Sequence, residues 1–220
     1  NSLDNIVEII DDGTLKIKDK KNIEYELRYY IMEKGDYDLN NYILLESELD
    51  IQEKVQICTH ICSSLHQLDG LDIYHRDIKP DNIFSIGGLW KLGDLGLLDE
   101  RDQDKNIDNM NERIGPFGWH SPEAMNKLLT EGKNPEFQFD CIIDHHSDIY
   151  QLGMIFWFIF QGNAPIGQIR IEDFLCDFSS KNTMYEMIQT TLSYAKQERP
   201  QRLNGIIDQL SEISSQIGVS

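Results

Sequence analysis

The amino-acid sequence predicts an α+β fold in which a short β-rich segment precedes a mostly helical domain. Two segments rich in β-branched and aromatic residues, Ile6–Ile10 and Tyr25–Met32, flank the polar stretch Lys18–Asn22, a pattern typical of a β-hairpin. From Asp50 onward, apolar residues recur every three or four positions, which indicates helices. A chain of 220 residues is long enough to bury a large core without disulfides or metals.

Capping residues and apolar runs predict where the helices lie. Asp50 followed by Glu53 resembles a capping box, and Gly70 is expected to end the helix that this box begins. The stretch Ile149–Phe160 is almost entirely apolar, which predicts a helix buried on every side. Two further amphipathic helices are predicted over Thr183–Tyr194 and Leu203–Ile217.

Charge and cysteine content restrict the partners and the compartment. The chain has 20 Lys and Arg against 38 Asp and Glu, a formal net charge of −18. Nucleic acids and anionic membranes attract basic surfaces, so this balance argues against both as partners. The longest apolar run, Met154–Phe160, is far shorter than the ~20 residues of a membrane-spanning helix. The cysteines lack metal-binding spacing, which favours reduced thiols and a cytoplasmic location.

Polar residues cluster around a second, shorter predicted hairpin. Its strands, Ile83–Ile86 and Leu89–Leu92, are separated by a Gly-Gly pair, which accepts the positive φ angles of a tight turn. Counting outward from that turn pairs Asn82 with Gly93. We therefore expect Asn82 and Asp94 to emerge together at the open end of the hairpin.

Asp77 and Lys79 lie on the loop that enters the same end of the hairpin. Carboxylate and amide oxygens are hard ligands, which suit Mg²⁺ carrying a polyphosphate better than zinc. The alternative is a polar loop that merely caps a hairpin. Four polar groups predicted to converge at one end favour a site for a metal ion and phosphate.

Three short motifs, in the same order along the chain, resemble the signature of Ser/Thr-type (Hanks-type) protein kinases. They are His75–Asn82, Asp94-Leu95-Gly96 and Ser121-Pro122-Glu123. The resemblance implies a protein-kinase-like α+β fold, mainly its helical C-lobe. It also implies ATP and Mg²⁺ as cofactors and transfer of the γ-phosphate to a Ser or Thr hydroxyl of a protein substrate.

The same resemblance assigns the catalytic roles residue by residue. Asp77 would orient the substrate hydroxyl and accept its proton, and Lys79 would neutralise the transferring phosphoryl group. Asn82 and Asp94 would hold Mg²⁺. Lys79 followed by Pro80 is typical of specificity for Ser and Thr.

Residues 29–35 resemble the strand that runs into the hinge between the two lobes of a kinase. By that resemblance Met32 is the gatekeeper, and the Glu33 carbonyl and the Gly35 N–H face the adenine edge. Phe84 would lie beneath the adenine ring. Lys79 and Asp94 complete the expected set of nucleotide-binding residues.

Five residues are expected to have structural or regulatory roles by the same resemblance. His75 and Arg76 belong to the catalytic loop, and this arginine usually pairs with a phosphate on the activation loop. Asp148 would hold the backbone of the catalytic loop. Arg199 would pair with Glu123, because either charge alone would be buried without a partner.

Elements of a complete nucleotide-binding lobe are missing from the sequence. It contains no G-x-G-x-x-G, no V-A-I-K-like strand and no helix whose Glu would pair with that Lys. We expect residues 1–35 to be a remnant of the N-lobe with two strands and the hinge, and residues 36–220 to be the C-lobe. Such an N-terminally incomplete kinase domain would transfer phosphate weakly or not at all. The alternative is a pseudokinase-like scaffold or regulatory binding module without phosphotransfer.

Two later segments also depart from the kinase pattern. Leu97–His120 contains no Ser, Thr or Tyr, so its acidic residues are candidates to replace a phosphate beside Arg76, unless they form a solvated loop. Pro116–Trp119 has the P-x-x-W spacing of tyrosine kinases, which weakens the Ser/Thr prediction made from Lys79. Residues 126–147 look inserted, and we expect a surface loop in preference to a metal site.

Partners follow from charge and from the missing elements. The acidic surface would favour basic segments of a protein substrate. A hairpin that lacks the rest of its lobe should expose apolar surface, which predicts a dimer through the N-lobe remnant.

Overall fold

The computed structural model describes residues 3–45, 49–100, 113–132 and 139–218. Its helices are α1 (Leu39–Leu45), α2 (Ile51–Asp69), α3 (Pro122–Thr130), α4 (His145–Gln161), α5 (Lys181–Thr191) and α6 (Asn204–Ile217). Its strands are β1 (Ile9–Lys18), β2 (Glu24–Met32), β3 (Tyr37–Asp38), β4 (Ile73–Tyr74), β5 (Ile83–Ile86), β6 (Leu89–Leu92) and β7 (Asp99–Glu100). The predicted α+β order, a short β segment followed mostly by helix, is confirmed.

Strands β1 and β2 form the predicted N-terminal hairpin, but its first strand starts later than expected. The antiparallel pairing runs from Ile9 opposite Met32 to Lys18 opposite Glu24. The residues before Ile9 were predicted to be in this strand, and that boundary is wrong. Val7 instead donates its N–H to the carbonyl of Leu92, 2.9 Å away, on the other hairpin. Alternating apolar residues predict an extended backbone without specifying its partner.

Helix α2 begins and ends where the sequence predicts. The Asp50 carboxylate accepts the Glu53 N–H at 2.7 Å, which satisfies one of the amides that the first helical turn leaves unpaired. Gly70 caps the other end through its N–H. The inward face is fully buried, and its residues include Val55, Cys58, Ile61, Cys62 and Leu65.

Helix α4 runs through the centre of the core. Asp144 caps its first turn together with Ser147, and Gly162 ends it in a left-handed conformation with φ 74°. Every residue from Ile149 to Phe160 except Tyr150 is buried. Helices α2 and α5 pack against α4, and α6 packs against α2, so the predicted all-round burial is confirmed for nearly the whole segment.

Strands β5 and β6 form the second predicted hairpin with the expected register. Gly87 and Gly88 make the turn with φ angles of 59° and 83°. Ile83 pairs with Leu92, and the Gly93 N–H donates to the Asn82 carbonyl at 2.8 Å. Strand β3 pairs with the other edge of β5, which attaches the hinge segment to this hairpin. Within the described ranges, no helix combines the length and apolar character needed to cross a membrane.

Gly153 should be intolerant of any side chain because α4 and α5 approach closely there. A Cβ at this position would lie 2.9 Å from the Thr191 Cβ. We expect Gly153→Ala to lower the free energy of unfolding by about 1–3 kcal/mol through overpacking. Urea unfolding followed by circular dichroism measures this change.

Gly205→Ala is the matched control, since a Cβ at this α6 position would meet no described atom within 4 Å. This substitution should raise stability by about 0.4–1 kcal/mol, because alanine restricts the unfolded chain more than glycine does. Equal effects of the two alanines would contradict close packing at Gly153.

Candidate active site

The loop before β5 is fixed to α4 by one buried carboxylate. Asp148 accepts the backbone N–H of His75 at 2.7 Å and that of Arg76 at 2.8 Å, one on each oxygen. Arg76 has a left-handed backbone with φ 70°, a conformation that costs energy for a residue with a Cβ. Burial raises the pKa of Asp148 to about 7, although the two backbone N–H groups act in the opposite direction. The carboxylate therefore holds the loop in a strained shape.

The His75 side chain links the loop to the residue that follows β6. Its Nε2 lies 3.0 Å from the carbonyl oxygen of Gly93, and its Nδ1 accepts the N–H of Asp77 at 3.3 Å. Burial lowers the pKa of His75 to about 4, so the ring is neutral at physiological pH. A neutral ring can donate at Nε2 and accept at Nδ1, which both contacts require.

Asp77, Lys79 and Asn82 form a connected side-chain network. Asn82 Nδ2 donates to Asp77 Oδ2 at 2.8 Å, and Lys79 Nζ donates to the same oxygen at 3.1 Å. Asn82 also bonds to the Asp77 backbone carbonyl at 2.9 Å. Asn82 uses its amide nitrogen for these bonds, so its amide oxygen is the atom that it can offer to a cation.

Asp94 comes directly after the Gly93 that pairs with Asn82, which brings it to the open end of the β5–β6 hairpin. Its backbone is left-handed, with φ 55° and ψ 68°. The hydroxyl of Tyr30 on β2 donates to Asp94 Oδ1 at 3.3 Å. Burial and the Asp94 carboxylate both raise the pKa of this tyrosine. We did not predict Tyr30, whose only sequence signal is that it shares a strand face with Met32.

The hinge segment borders an open cavity of about 600 Å³. Met32, Glu33, Gly35 and Phe84, the residues expected around an adenine ring, all line it. A Cβ at Gly35 would lie 3.1 Å from the Phe84 Cβ, so this position accepts little more than glycine. The hinge is joined to β5 by the Asp36 N–H, which donates to the Ser85 carbonyl at 2.8 Å.

Glu33 joins the hinge to β6 through an ion pair that the sequence did not suggest. Lys91 Nζ lies 2.7 Å from Glu33 Oε1, and the Glu8 N–H donates to the same oxygen at 2.9 Å. Burial alone would raise the pKa of Glu33, but these donors lower it below its ordinary value. Glu33 is thus a fixed anion at the edge of the cavity.

Gln151 connects the loop before β5 to the segment before α3. Its Oε1 accepts the Ile78 N–H at 3.2 Å, and its Nε2 donates to the Trp119 carbonyl at 3.0 Å. The Gln151 side chain is buried, so each of its two hydrogen bonds gives a backbone group the partner that water would otherwise supply. The sequence analysis missed this residue, because a glutamine in an otherwise apolar helix gives no sign of which backbone groups it contacts.

Arg199 and Glu123 form a buried bidentate ion pair. Arg199 Nη1 lies 2.8 Å from Glu123 Oε1, and Nη2 lies 3.0 Å from Oε2. The same guanidinium donates to the carbonyls of His146, Ser193 and Tyr194. Burial alone would raise the pKa of Glu123, but the hydrogen bonds and charge of Arg199 lower it. All five N–H groups of the Arg199 guanidinium donate in these contacts, so the charge is held at a fixed position.

The inserted segment is described in part, as residues 126–132 and 139–147. Asp144, His145 and His146 each offer a ligand atom, and these atoms lie within 4.8 Å of one another. Lys196 Nζ lies 3.1 Å from Asp144 Oδ2 and 3.2 Å from Asp140 Oδ2, however. A lysine ammonium already pairs with the carboxylate, which argues against a metal site. The prediction of a loop over the whole segment is wrong at both ends, because residues 126–130 lie in α3 and residues 145–147 lie in α4. The acidic residues at 101–112 that we considered as partners of Arg76 lie outside the described residues.

Comparison with known families decides what kind of protein carries this arrangement. The sequence pattern of the family described as protein tyrosine and serine/threonine kinase matches residues 5–210. The chain belongs to the protein kinase family. The helices and small sheets of the described residues are those of a protein-kinase-like α+β fold, as the motifs predicted.

Several curated kinases are similar to this kinase at low identity. The mouse dual specificity protein kinase TTK is 24% identical over 141 residues, which cover 64% of this chain and 16% of the relative. A probable serine/threonine-protein kinase of Dictyostelium discoideum is 30% identical over 152 residues, which cover 64% of this chain and 10% of the relative. Serine/threonine-protein kinase A of Synechocystis is 23% identical over 230 residues, which cover 92% of this chain and 42% of the relative. The chain therefore spans less than half the length of each of these relatives.

Gln151→Met should destabilise the kinase because it removes two hydrogen bonds while keeping the side-chain volume. The buried Ile78 N–H would lose its acceptor, so we expect the free energy of unfolding to fall by about 1–3 kcal/mol. Urea unfolding gives this value. The matched control is Gln209→Met on the exposed face of α6, which should change stability by about 0.5 kcal/mol or less. Equal losses at both positions would contradict the bridging role.

Arg199→Leu should lower the free energy of unfolding more than Gln151→Met does, because it leaves the Glu123 carboxylate buried without its partner. We expect a loss of about 3–5 kcal/mol in the free energy of unfolding at neutral pH. The control is Arg170→Leu, which breaks an exposed contact to Asp173 and should cost about 1 kcal/mol or less.

The loss caused by Arg199→Leu should also depend on pH. The folded-state pKa of Glu123 is lowered, so the pair stabilises the fold above the ordinary carboxyl pKa of 4.5 and loses that effect as pH falls through the lower value. The difference between wild type and Arg199→Leu should therefore shrink in acid. A difference independent of pH would show that lost packing, and not the ion pair, explains the cost.

Proposed function

We propose that this kinase transfers the γ-phosphate of ATP to a Ser or Thr hydroxyl of a protein, with Mg²⁺ as the metal. The observation that carries the proposal is the network in which Lys79 and Asn82 both donate to Asp77 Oδ2. A carboxylate held by two donors has a fixed orientation and is ready to accept a hydroxyl proton. Membership of the kinase family supports the same assignment.

The donor atoms present suit Mg²⁺. The amide oxygen of Asn82 and the carboxylate of Asp94 are hard oxygens, which Mg²⁺ prefers. Bound Mg²⁺ would neutralise charge on the phosphates during transfer. Lys79 adds a positive charge beside Asp77, where the phosphoryl group would pass.

The cavity at the hinge suits an adenine ring. Gly35 presents backbone without a side chain, and Phe84 supplies an apolar surface within about 3 Å of that glycine position. Met32 and Glu33 border the same cavity. We assign ATP binding to these residues, with residues 1–35 acting as a remnant of the nucleotide-binding lobe and residues 36–220 as the C-lobe.

A second cavity of about 410 Å³ lies against Asp77 and is our proposed entry for the protein substrate. Lys79, Arg113, Pro116 and Trp119 also line it. Lys79 beside the catalytic carboxylate favours Ser and Thr as acceptors, in keeping with the Ser/Thr names of two of the relatives. The net charge of −18 favours basic substrate segments, and the four free cysteines favour the cytoplasm.

A scaffold without phosphotransfer is the second candidate function. It is favoured by one sequence observation, the lack of both G-x-G-x-x-G and a V-A-I-K-like strand in the 220 residues. The lysine of that strand normally holds the α- and β-phosphates, so this chain alone should transfer phosphate weakly. The two functions differ in whether Mg²⁺-ATP binds.

Asp77→Asn should lower the rate of phosphotransfer by about 10²- to 10⁴-fold, because an amide cannot accept the hydroxyl proton. Radiolabelled ATP and a basic Ser-containing peptide provide the assay. Asp208→Asn on the exposed face of α6 makes the same chemical change far from the site and should keep the wild-type rate. A wild-type rate in Asp77→Asn would contradict the proposed mechanism.

Mg²⁺-ATP at ten times its dissociation constant should raise the melting temperature by about 3–6 °C, since a ligand stabilises the state that it binds. ATP without Mg²⁺ should give a smaller shift. No shift with Mg²⁺-ATP at millimolar concentration, together with no transfer, would reject the enzyme and support the scaffold.

A further inference from the structure

Residues 116–119 form a closed turn on one wall of the proposed substrate cavity. The Trp119 N–H donates to the Pro116 carbonyl at 3.0 Å, and Gly118 has a φ of 82°. A glycine with positive φ just before the last residue is typical of a type II turn. Pro116 and Trp119 line the cavity of about 410 Å³ that Asp77 also borders. The turn is therefore a compact unit that faces the carboxylate proposed to accept the substrate proton.

The buried amide of Gln151 joins this turn to the loop before β5. Its Nε2 donates to the carbonyl of Trp119, the last residue of the turn, at 3.0 Å. Its Oε1 accepts the N–H of Ile78, which directly follows Asp77, at 3.2 Å. One amide group thus spans the short gap between the cavity wall and the residue next to the carboxylate.

Helix α4 holds the backbone on both sides of Asp77. Asp148 accepts the N–H groups of His75 and Arg76, which precede Asp77, and Gln151 accepts the N–H that follows it. Among the hydrogen bonds of the described residues, those of Asp148 reach the loop alone. Gln151 binds both the loop and the turn, so it is the side chain that relates the two.

The segment just before the turn packs closely against this amide. Gly115 has a φ of 96°, and a Cβ there would lie 3.3 Å from the Arg76 carbonyl oxygen and 3.6 Å from Gln151 Nε2. Pro116 follows and has no N–H with which to bind the loop. A change in the position of the Gln151 amide would therefore be transmitted to the turn.

We propose that Gln151 is a positioning residue for the protein substrate, because its amide sets the distance between the 116–119 turn and Asp77. It acts through the backbone of Trp119 and Ile78 and does not itself touch the substrate. This role rests on the proposed function. A misalignment of about 1 Å can lower a rate about 100-fold, so a small shift of the cavity wall is enough. The hinge cavity is lined by other residues, so ATP binding should not depend on Gln151.

Gln151→Met tests this role in steady-state kinetics with radiolabelled ATP and a basic Ser-containing peptide. The KM for the peptide should rise about tenfold or more, and the KM for ATP should stay within about twofold of wild type. A loss of folded protein would lower the apparent kcat and move neither KM. Gln209→Met on the exposed face of α6 is the matched control and should leave all three constants unchanged.

Gln151→Glu adds a pH profile that a purely structural role would not produce. A protonated glutamic acid offers one acceptor and one O–H donor, as the amide does, whereas the ionised form offers only acceptors to the Trp119 carbonyl. Burial raises the pKa of such a carboxyl, so the peptide KM of this variant should approach the wild-type value as pH falls from about 8 to about 6. Asp77, His120 and Asp148 titrate in every chain, and the ratio to wild type removes their shared contribution. The ratio for Gln151→Met should not change with pH.

Two measurements that need no phosphotransfer separate this role from the proposed function. Hydrogen exchange of residues 76–80 and 115–120 should be faster in Gln151→Met, while exchange in α2 stays as in wild type. The dissociation constant of the same peptide, labelled with fluorescein and measured by anisotropy, should rise about tenfold in Gln151→Met. If the wild type transfers no phosphate but shows both effects, the proposed transfer fails and the positioning role stands.

Three results would overturn the role of Gln151. They are a peptide KM or dissociation constant that Gln151→Met leaves unchanged, equal increases in the KM values for peptide and ATP, and unchanged hydrogen exchange in both segments. If Gln151→Glu does not fold, the peptide affinity and exchange of Gln151→Met decide alone. Phosphotransfer by the wild type together with any of these results rejects the positioning role and keeps the proposed function.

Discussion

The buried carboxylate of Asp148 is the contact on which the candidate site depends. Its two oxygens accept successive backbone N–H groups, and this holds Arg76 in a left-handed conformation that costs about 1–2 kcal/mol. The turn that results directs the next residue, Asp77, toward Lys79 and Asn82. Burial of this acid is unfavourable, and it raises the pKa of Asp148 although the two backbone N–H groups and the charge of Arg76 act in the opposite direction. The surrounding core must therefore offset the cost of keeping this loop in place.

Helix α4 supplies both that core and the support for the site. Its first turns carry Asp148 and Gln151, which bind backbone groups of the loop before β5 and of the segment before α3. Beyond Gln151 the helix is apolar and packs against α2 and α5. Arg199 adds a second attachment, because its contacts join Glu123 on α3 to the carbonyl of His146 on α4. A shift of α4 would thus move several parts of the site together.

The parts of this structure that could be predicted from sequence are those with a local cause. A Gly-Gly turn sets the register of β5 and β6, and an Asp three residues before an amide caps α2, so both were predicted correctly. The contact of Tyr30 with Asp94 joins residues 64 positions apart, and no local pattern encodes it. The contacts of Gln151 could not be predicted either, since its partners are backbone groups that every residue possesses. The predicted start of β1 was wrong because an extended segment can form backbone hydrogen bonds with either hairpin.

The two halves of the site rest on elements of unequal stability. Asp77 and Asn82 lie on a loop bound to the buried core, whereas Met32 and Tyr30 lie on a hairpin whose second strand is exposed throughout. A segment with few buried contacts opens at a lower free-energy cost than a core helix. If ATP binds at the hinge as proposed, opening of the hairpin competes with binding and lowers the apparent affinity by the fraction of molecules that are open. A second ligand that also binds only the closed hairpin would reduce that fraction, so by linkage the two ligands would strengthen each other's binding by the same factor.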